Sequence, residues 1–307
     1  MSTSDLKAPF PYMGGKSMVA DTVWEALGNV TNYVEPFAGS AAVLLARPAP
    51  FKGTETINDA NGYVANFWRA VSQDPDAVAR HADHPVLEND LHARHRWLWE
   101  RRDQLRAQLE ADPDWCDPKI AGWWVWGMSS FFTGAWCVDI PRRCKPMCAG
   151  GLHGKGVHAM TRDVHQHMRD LQARLRRVRV LCGDYTRALS HSVVNNFHGK
   201  LPTGIFLDPP YTHEGRDGKC YGEDDDPDVF DKVVEWAVAN ATPTVRIVLA
   251  GYDDRPMPEG WREVSWEGHG GHNRRGDNEN KSRERLWLSP HCVQPNTVTS
   301  LDDLFGF

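Results

Sequence analysis

The chain has no run of about 18 consecutive apolar residues, so no membrane-spanning helix is expected and no membrane partner. Its opening residues, Met1-Ser-Thr-Ser-Asp-Leu-Lys7, hold no apolar stretch of the kind a secretory signal needs. Cysteine is scarce and odd in number, seven in 307 residues, with no Cys-x₂-Cys pair. That excludes a disulfide scaffold and points to reduced thiols in a cytoplasmic setting. Cys137, Cys144 and Cys148, with His153 close behind, are the one set that raises zinc. Without paired knuckles they are read as free thiols, and no metal is expected. Two phosphate-binding signatures are missing as well. Gly39 stands alone where a dinucleotide fold carries three spaced glycines, which argues against a pyrophosphate cofactor. Gly14-Gly15-Lys16-Ser17 resembles the end of a phosphate loop, but the glycine needed at position 10 is Phe10 and no apolar strand precedes it. A small-molecule kinase is disfavoured on both counts.

An excess of positive charge is also lacking: the net charge is −6. Its distribution is uneven. Residues 142–179 hold ten Lys/Arg against Asp163 and Asp170, whereas residues 208–231 hold nine acids against Arg216 and Lys219. The first stretch could meet a phosphate backbone within an otherwise acidic protein. A solvated helical face is the plainer alternative.

What is present is an alternation of strands and helices. Apolar spacing predicts a helix over 16–27, and a strand over 32–36 runs into the small-residue turn Phe37-Ala-Gly-Ser40. A helix over 41–47 follows, then a strand over 55–58 and a helix over 62–71. After residue 177 the pattern resumes, with strands over 178–182, 204–207 and 245–250, a helix over 229–238, and a late antiparallel pair over 261–266 and 285–288. Such alternation predicts a parallel, doubly wound sheet. The segment between differs: it is Arg-rich, predicted helical over 87–109 and 161–175, and carries five of the thirteen tryptophans between 115 and 136. It is read as an insertion over 81–176 with a small core of its own, splitting a larger domain into 1–80 and 177–307.

Three blocks carry chemistry. In Tyr33-Val-Glu-Pro-Phe-Ala-Gly-Ser40 a strand enters a helix through a turn of small residues, so a ligand can approach the backbone at Gly39. Twenty residues on, Asp59 ends the next strand and is placed to take the hydroxyls of a ribose. In Tyr12-Met-Gly-Gly-Lys16, the glycines Gly14 and Gly15 permit close approach and Lys16 offers a cation for a ligand carboxylate. The third block is Asp208-Pro209-Pro210-Tyr211, following an apolar strand. Consecutive prolines fix an extended exit, which aims the Asp208 carboxylate and the Pro209 carbonyl one way, with the Tyr211 ring beside them. Two acceptors and a stacking ring suit a planar heterocycle with an exocyclic amine. Holding both amine hydrogens favours a pyramidal nitrogen aimed at an electrophilic methyl.

Taken together, these blocks resemble the Dam-like (D12 class) DNA N6-adenine methyltransferases, with Ile57-Asn-Asp-Ala-Asn61 and Cys182-Gly-Asp-Tyr185 as weaker matches. The resemblance covers about the first eighty residues and 178–252. It implies an α/β fold, a doubly wound, mostly parallel Rossmann-like methyltransferase sheet with an inserted, mainly helical target-recognition domain. It implies transfer of methyl from S-adenosylmethionine, leaving S-adenosylhomocysteine, to an adenine flipped out of duplex DNA. Glu35, Phe37, Ala38, Gly39 and Ser40 would line the methionine part of the cofactor pocket together with Lys16. Tyr12, Gly14 and Gly15 belong to the same wall. Asp59 would hold the ribose, Asp184 the adenine amine, with Tyr185 and Asp208 nearby. Asp208, Pro209 and Tyr211 would be catalytic. Within the insertion, Arg142, Arg143 and Lys145 are candidates for DNA contact, at phosphates or guanine edges. The alternatives are cytosine-N4 methylation, since cytosine offers the same amine, and a non-catalytic DNA-binding relative. A bacterial or phage-infected cytoplasm is the expected setting, and the motifs leave open whether a cognate restriction nuclease accompanies the protein.

Overall fold

The computed structural model describes residues 6–12, 15–112, 114–130, 136–137, 156–160, 163–195, 201–210, 228–252, 257–266 and 284–294. Their centre is a seven-stranded sheet of β1 (Asn32–Glu35), β2 (Thr54–Asp59), β3 (Val178–Cys182), β4 (Thr203–Leu207), β5 (Val245–Tyr252), β6 (Arg262–Ser265) and β7 (Glu284–Leu288). The spatial order is β3-β2-β1-β4-β5-β7-β6. Strands β1 to β5 are parallel, and β7 lies antiparallel between β5 and β6. The fold is thus α/β, a doubly wound, mostly parallel Rossmann-like sheet. Central strands of such a sheet are covered on both faces, so they read as continuous apolar runs. Strand β4 does: all five residues of Thr-Gly-Ile-Phe-Leu are buried.

Ten helices accompany the sheet among the described residues: α1 (Ala20–Leu27), α2 (Ala42–Leu45), α3 (Gly62–Gln73), α4 (Pro75–Ala82), α5 (Glu88–Trp99), α6 (Arg102–Ala111), α7 (Pro118–Ser130), α8 (Val164–Leu175), α9 (His191–Val194) and α10 (Val229–Asn240). Their starts follow capping chemistry. Asn61 caps α3 by accepting from Tyr63 N, and Asp74 caps α4 from Ala77 N, with Pro75 in the first turn where its missing N–H costs nothing. None of these helices is long and apolar enough to cross a membrane.

Where helices differ from the sequence reading, a competing bond explains it. The helix expected from Lys16 starts only at Ala20, because Gly15 N turns back onto Tyr12 O (3.0 Å) and Lys16 is drawn to Asp208. The helix expected over 41–47 shrinks to Ala42–Leu45, since Ala41 is left-handed (φ 51°). The single helix expected over 87–109 is two. Leu98 O accepts from both the Tyr63 hydroxyl (2.7 Å) and Arg101 N (3.0 Å), which closes α5 in a tightened last turn.

The core lies in two layers. On one face α9 and α10 cover Val34, Ile205, Leu207, Ile247 and Leu249. On the other, α1, α3, α4, α7 and α8 share one continuous cluster. The tryptophan-rich segment therefore does not build a core of its own. Trp124 meets Phe10 edge-on at 4.8 Å and stacks parallel to Tyr63 at 6.2 Å, while Phe10 also touches Phe67 at 5.3 Å. The cause is the buried surface of α7, which includes Ile120, Ala121, Trp124, Val125 and Trp126 and so runs round much of the helix. Burying it needs neighbours on several sides, and α3 and α4 supply them; each large apolar side chain covered there contributes about 1.5–3 kcal/mol.

Candidate active site

Strand order reverses between β1 and β4, since the chain winds outward from β1 to β2 and from β4 to β5. Loops leaving the carboxyl ends of β1 and β4 splay apart and open a crevice at that switch point. Glu35 closes β1 and Asp208 follows β4 directly, so both carboxylates stand at this opening. Lys16 joins them. Its Nζ lies 2.9 Å from Asp208 Oδ1 and 5.9 Å from the centre of the Trp266 ring. The Lys16 side chain is only 4% exposed. A buried ammonium requires a partner, and here the partner is the carboxylate of the proline block. The cation expected for a ligand carboxylate thus sits on Asp208. Pro209 is buried and Pro210 half-buried behind it.

The turn after β1 is held by backbone and side-chain bonds from three directions. Ala38 N donates to Asn58 O (2.9 Å), Gly39 N to Asp59 Oδ2 (2.8 Å), and Trp68 Nε1 to Gly39 O (3.2 Å). Gly39 has φ +47°, and a Cβ there would run into the Tyr12 ring, so glycine is required on both counts. Ala38 and Ser40 are buried within the turn. Asp59 also accepts from Asn61 N (2.8 Å) through its other oxygen. Burial pushes its carboxyl up to about 6, against the pull of those two N–H bonds. Asn58 was part of a matched block without an assigned role. Its Nδ2 reaches Pro36 O and Gly183 O, both at 3.0 Å, and so ties the end of β2 to the loops after β1 and β3.

On the β3 side, Asp184 is exposed and caps a short 3₁₀ turn, accepting from Thr186 N (2.9 Å) and from the Thr186 hydroxyl. Tyr185 stacks on Phe37 with ring centres 5.3 Å apart and 28° between planes. An aromatic ligand reaches these rings along an edge or by parting them. Glu35 is 3% exposed and accepts from the Tyr33 hydroxyl (3.0 Å) and Leu44 N (3.2 Å) through Oε2. Burial pushes its carboxyl up to about 8. The hydrogen bonds from Tyr33 and Leu44 oppose that shift, and the neighbouring charges of Asp208 and Glu55 reinforce it.

Beneath Glu35 lies a network that local sequence did not reveal. Glu55 is met by Arg47 Nη1 (3.0 Å) and in a two-pronged pair by Arg174 (2.6 and 2.8 Å). Arg47 also donates to Val30 O (2.6 Å), and Arg174 to Leu44 O (2.8 Å). Arg169, on the same helix as Arg174, pairs with Asp76 at 2.8 Å. Two of the ten cations of the basic stretch are therefore spent on internal pairs. The usable signal was Glu55 itself: a charge inside a strand covered on both faces must be paired.

Gly14, Tyr211, Arg142, Arg143 and Lys145 lie outside the described residues, as do Cys144, Cys148 and His153. Cys137 is described. It is buried, its thiol is pushed up by that burial, and its N–H reaches His95 Nδ1 at 3.2 Å. Among the described residues no cluster of three or more His, Cys, Asp or Glu is placed to hold a metal.

The crevice thus gathers a cation paired with Asp208, the buried carboxyl of Glu35, the carboxylates of Asp59 and Asp184 at the ends of β2 and β3, and a pair of stacked rings. Such a donor set fits a zwitterionic nucleoside without phosphates. Residues 12–111, which contain most of it, match the family model for D12 class N6 adenine-specific DNA methyltransferases. The D12 match runs past residue 80 through α5 and α6, further than the motif blocks alone reach. Over 218 residues the chain is 22% identical to the type II methyltransferase M.MjaIII of Methanocaldococcus jannaschii, a span that covers 67% of this chain and 70% of that protein. Both similarities support DNA methylation as the chemistry of the D12-like crevice.

Proposed function

We propose that this chain is a site-specific DNA methyltransferase that transfers methyl from S-adenosylmethionine to the N6 amine of an adenine flipped out of duplex DNA. The observation that carries the reading is the Asp208 carboxylate, held through Oδ1 by buried Lys16 at the switch point beside the Gly39 turn. The cofactor, when bound, supplies an electrophilic methyl on a sulfonium. Residues of this chain do the rest. Asp59 takes the ribose hydroxyls, Asp184 the adenine amine, and Phe37 and Tyr185 the flat faces of the ring. Tyr12, Gly14, Gly15, Ala38, Gly39 and Ser40 wall the methionine end, with Glu35 beneath it. Lys16 serves twice, orienting Asp208 and offering its charge to the cofactor carboxylate.

Asp208 accepts one hydrogen of the target amine and the Pro209 carbonyl the other. That turns the nitrogen lone pair out of the ring plane toward the methyl. Tyr211 stacks on the base. The proton lost after transfer leaves along the hydrogen bond to Asp208. An amine within the helical stack cannot reach a donor set at the bottom of a crevice, which is the reason for flipping. Residues 81–176 carry target recognition, with Arg142, Arg143 and Lys145 among its DNA contacts, while 1–80 and 177–307 form the catalytic part.

Incubation with labelled S-adenosylmethionine and mixed-sequence duplex DNA, followed by digestion to nucleosides, tests the reading. Label in N6-methyl-2′-deoxyadenosine is the expected result; label in N4-methyl-2′-deoxycytidine would reassign the base. Tight cofactor binding with no incorporation would remove the catalytic claim and leave a non-catalytic DNA-binding relative. Asp208→Ala is expected to lower transfer by about 10³-fold or more, with cofactor affinity changed only a few-fold. Near-native turnover in that variant would end the role given to the carboxylate.

A further inference from the structure

Away from the crevice, at the corner where α5, α6 and α7 meet, cations lie on tryptophan rings in a connected array. Arg101 sits 4.0 Å from the centre of the Trp97 ring and donates to Trp97 O (3.1 Å). Lys119, in the first turn of α7, lies over Trp97 at 4.8 Å and over Trp123 at 4.4 Å, and those two rings meet edge-on at 5.2 Å. Arg102 lies 3.8 Å over Trp99. All six residues are half-exposed. Trp97 and Trp123 rest against the core, while Trp99 packs against neither core cluster.

Any single ring contact here adds little to stability. A cation on an exposed ring gains about 0.5–1 kcal/mol, less than the roughly 1.5–2 kcal/mol of rotamer freedom in a long basic side chain. The position of the array is informative. The Tyr63 hydroxyl binds Leu98 O at the end of α5, and Arg106 of α6 backs onto Gly62. Gly62 and Tyr63 begin α3, immediately after Asp59-Ala60-Asn61, so the corner stands at the carboxyl edge of the sheet, on the crevice side.

We infer that this corner is a phosphate-contacting surface that receives the DNA backbone beside the crevice, an inference that rests on the DNA-methylating function proposed above. Arg101 and Lys119 carry it. Among the described residues neither has a carboxylate partner, whereas Arg102 lies 3.6 Å from Asp103 and contributes less. Arg101 spends one of its five N–H donors on Trp97 O. A guanidinium already fixed by a ring and a carbonyl loses little further freedom when it meets a phosphate. The rings act as seats for the cations, and the contact reads backbone, not sequence.

The test is a binding titration of the full chain on labelled duplexes of several sequences across a range of salt concentrations. For Arg101→Gln/Lys119→Gln, the plot of log affinity against log salt should be shallower than native by about two, equally on every duplex. Melting temperature and S-adenosylmethionine affinity should stay native. Glu100→Gln/Asp103→Asn is an independent arm that survives any folding defect of the first. Removing two exposed acids from the same corner should tighten DNA binding several-fold at low salt. A native slope in the first variant, or native affinity in the second, overturns the surface. Failure of the native protein to bind any duplex overturns the methyltransferase reading beneath it.

Discussion

Glu35 and Glu55 are buried on the same face of neighbouring strands, yet they are treated in opposite ways. The parallel register sets Tyr33 against Glu55 and Glu35 against Ile57, so the two carboxylates flank one phenol ring. Glu55 has two guanidiniums and is fully neutralised within the core. Glu35 has a hydroxyl and an amide N–H, neither of them charged, and its carboxyl is pushed up to about 8. Both act on the backbone of one residue: Leu44 N donates to Glu35, and Leu44 O accepts from the arginine that holds Glu55. The contrast separates a charge that fastens the fold from a carboxyl that holds its proton at the crevice.

Removing Glu55 breaks the contrast most severely. Glu55→Ala leaves two buried guanidiniums facing no anion, and chemical denaturation should show a loss of about 3–5 kcal/mol. A loss under 1 kcal/mol would mean that water reaches Arg47 and Arg174. Glu35→Gln sharpens the comparison from the other side. Because the folded protein holds the Glu35 proton more tightly than the unfolded chain, native stability should fall as pH rises from about 4.5 to about 8. Asp59 adds to the lower part of that window, between about 4 and about 6. Glu35→Gln should flatten the upper part, and an unchanged pH profile would show that Glu35 ionises freely. The smallest effect belongs to Tyr33→Phe. It removes a hydrogen bond worth about 1 kcal/mol net and one that favours ionised Glu35, so the carboxyl should titrate still higher by NMR. A downward move would reverse the assigned direction.

Much of the sheet was legible because its signal is local. Strands over 178–182 and 245–252 end within two residues of where the apolar runs place them, and Asp208 stands where the run of β4 and two prolines put it. What stayed hidden depends on partners distant in sequence. Arg174 finds Glu55 across 119 residues and Asn58 finds Gly183 across 125, and no periodicity announces such pairs. Lys16 was legible as a cation but not as the neighbour of Asp208, since that contact needs the turn at Gly15 to bring the chain's start over the end of β4. The tryptophans were legible as core residues. Which core they join is set by the buried surface of α7, which meets α3, α4 and Phe10, a residue whose only sequence message was the absence of glycine.

That aromatic contact limits how such a protein can be recombined. Phe10 is six residues ahead of Lys16, and its ring is clasped by Phe67, Trp68 and Trp124. A graft that exchanged residues 81–176 with those of another protein, to borrow the recognition proposed for that segment, would swap the Trp124 wall of that clasp, keep only Phe67 and Trp68, and loosen the stretch of chain carrying Lys16. A working chimera would have to transplant the N-terminal segment along with the insertion. On the function proposed here, new specificity would be inherited by two stretches of chain at once.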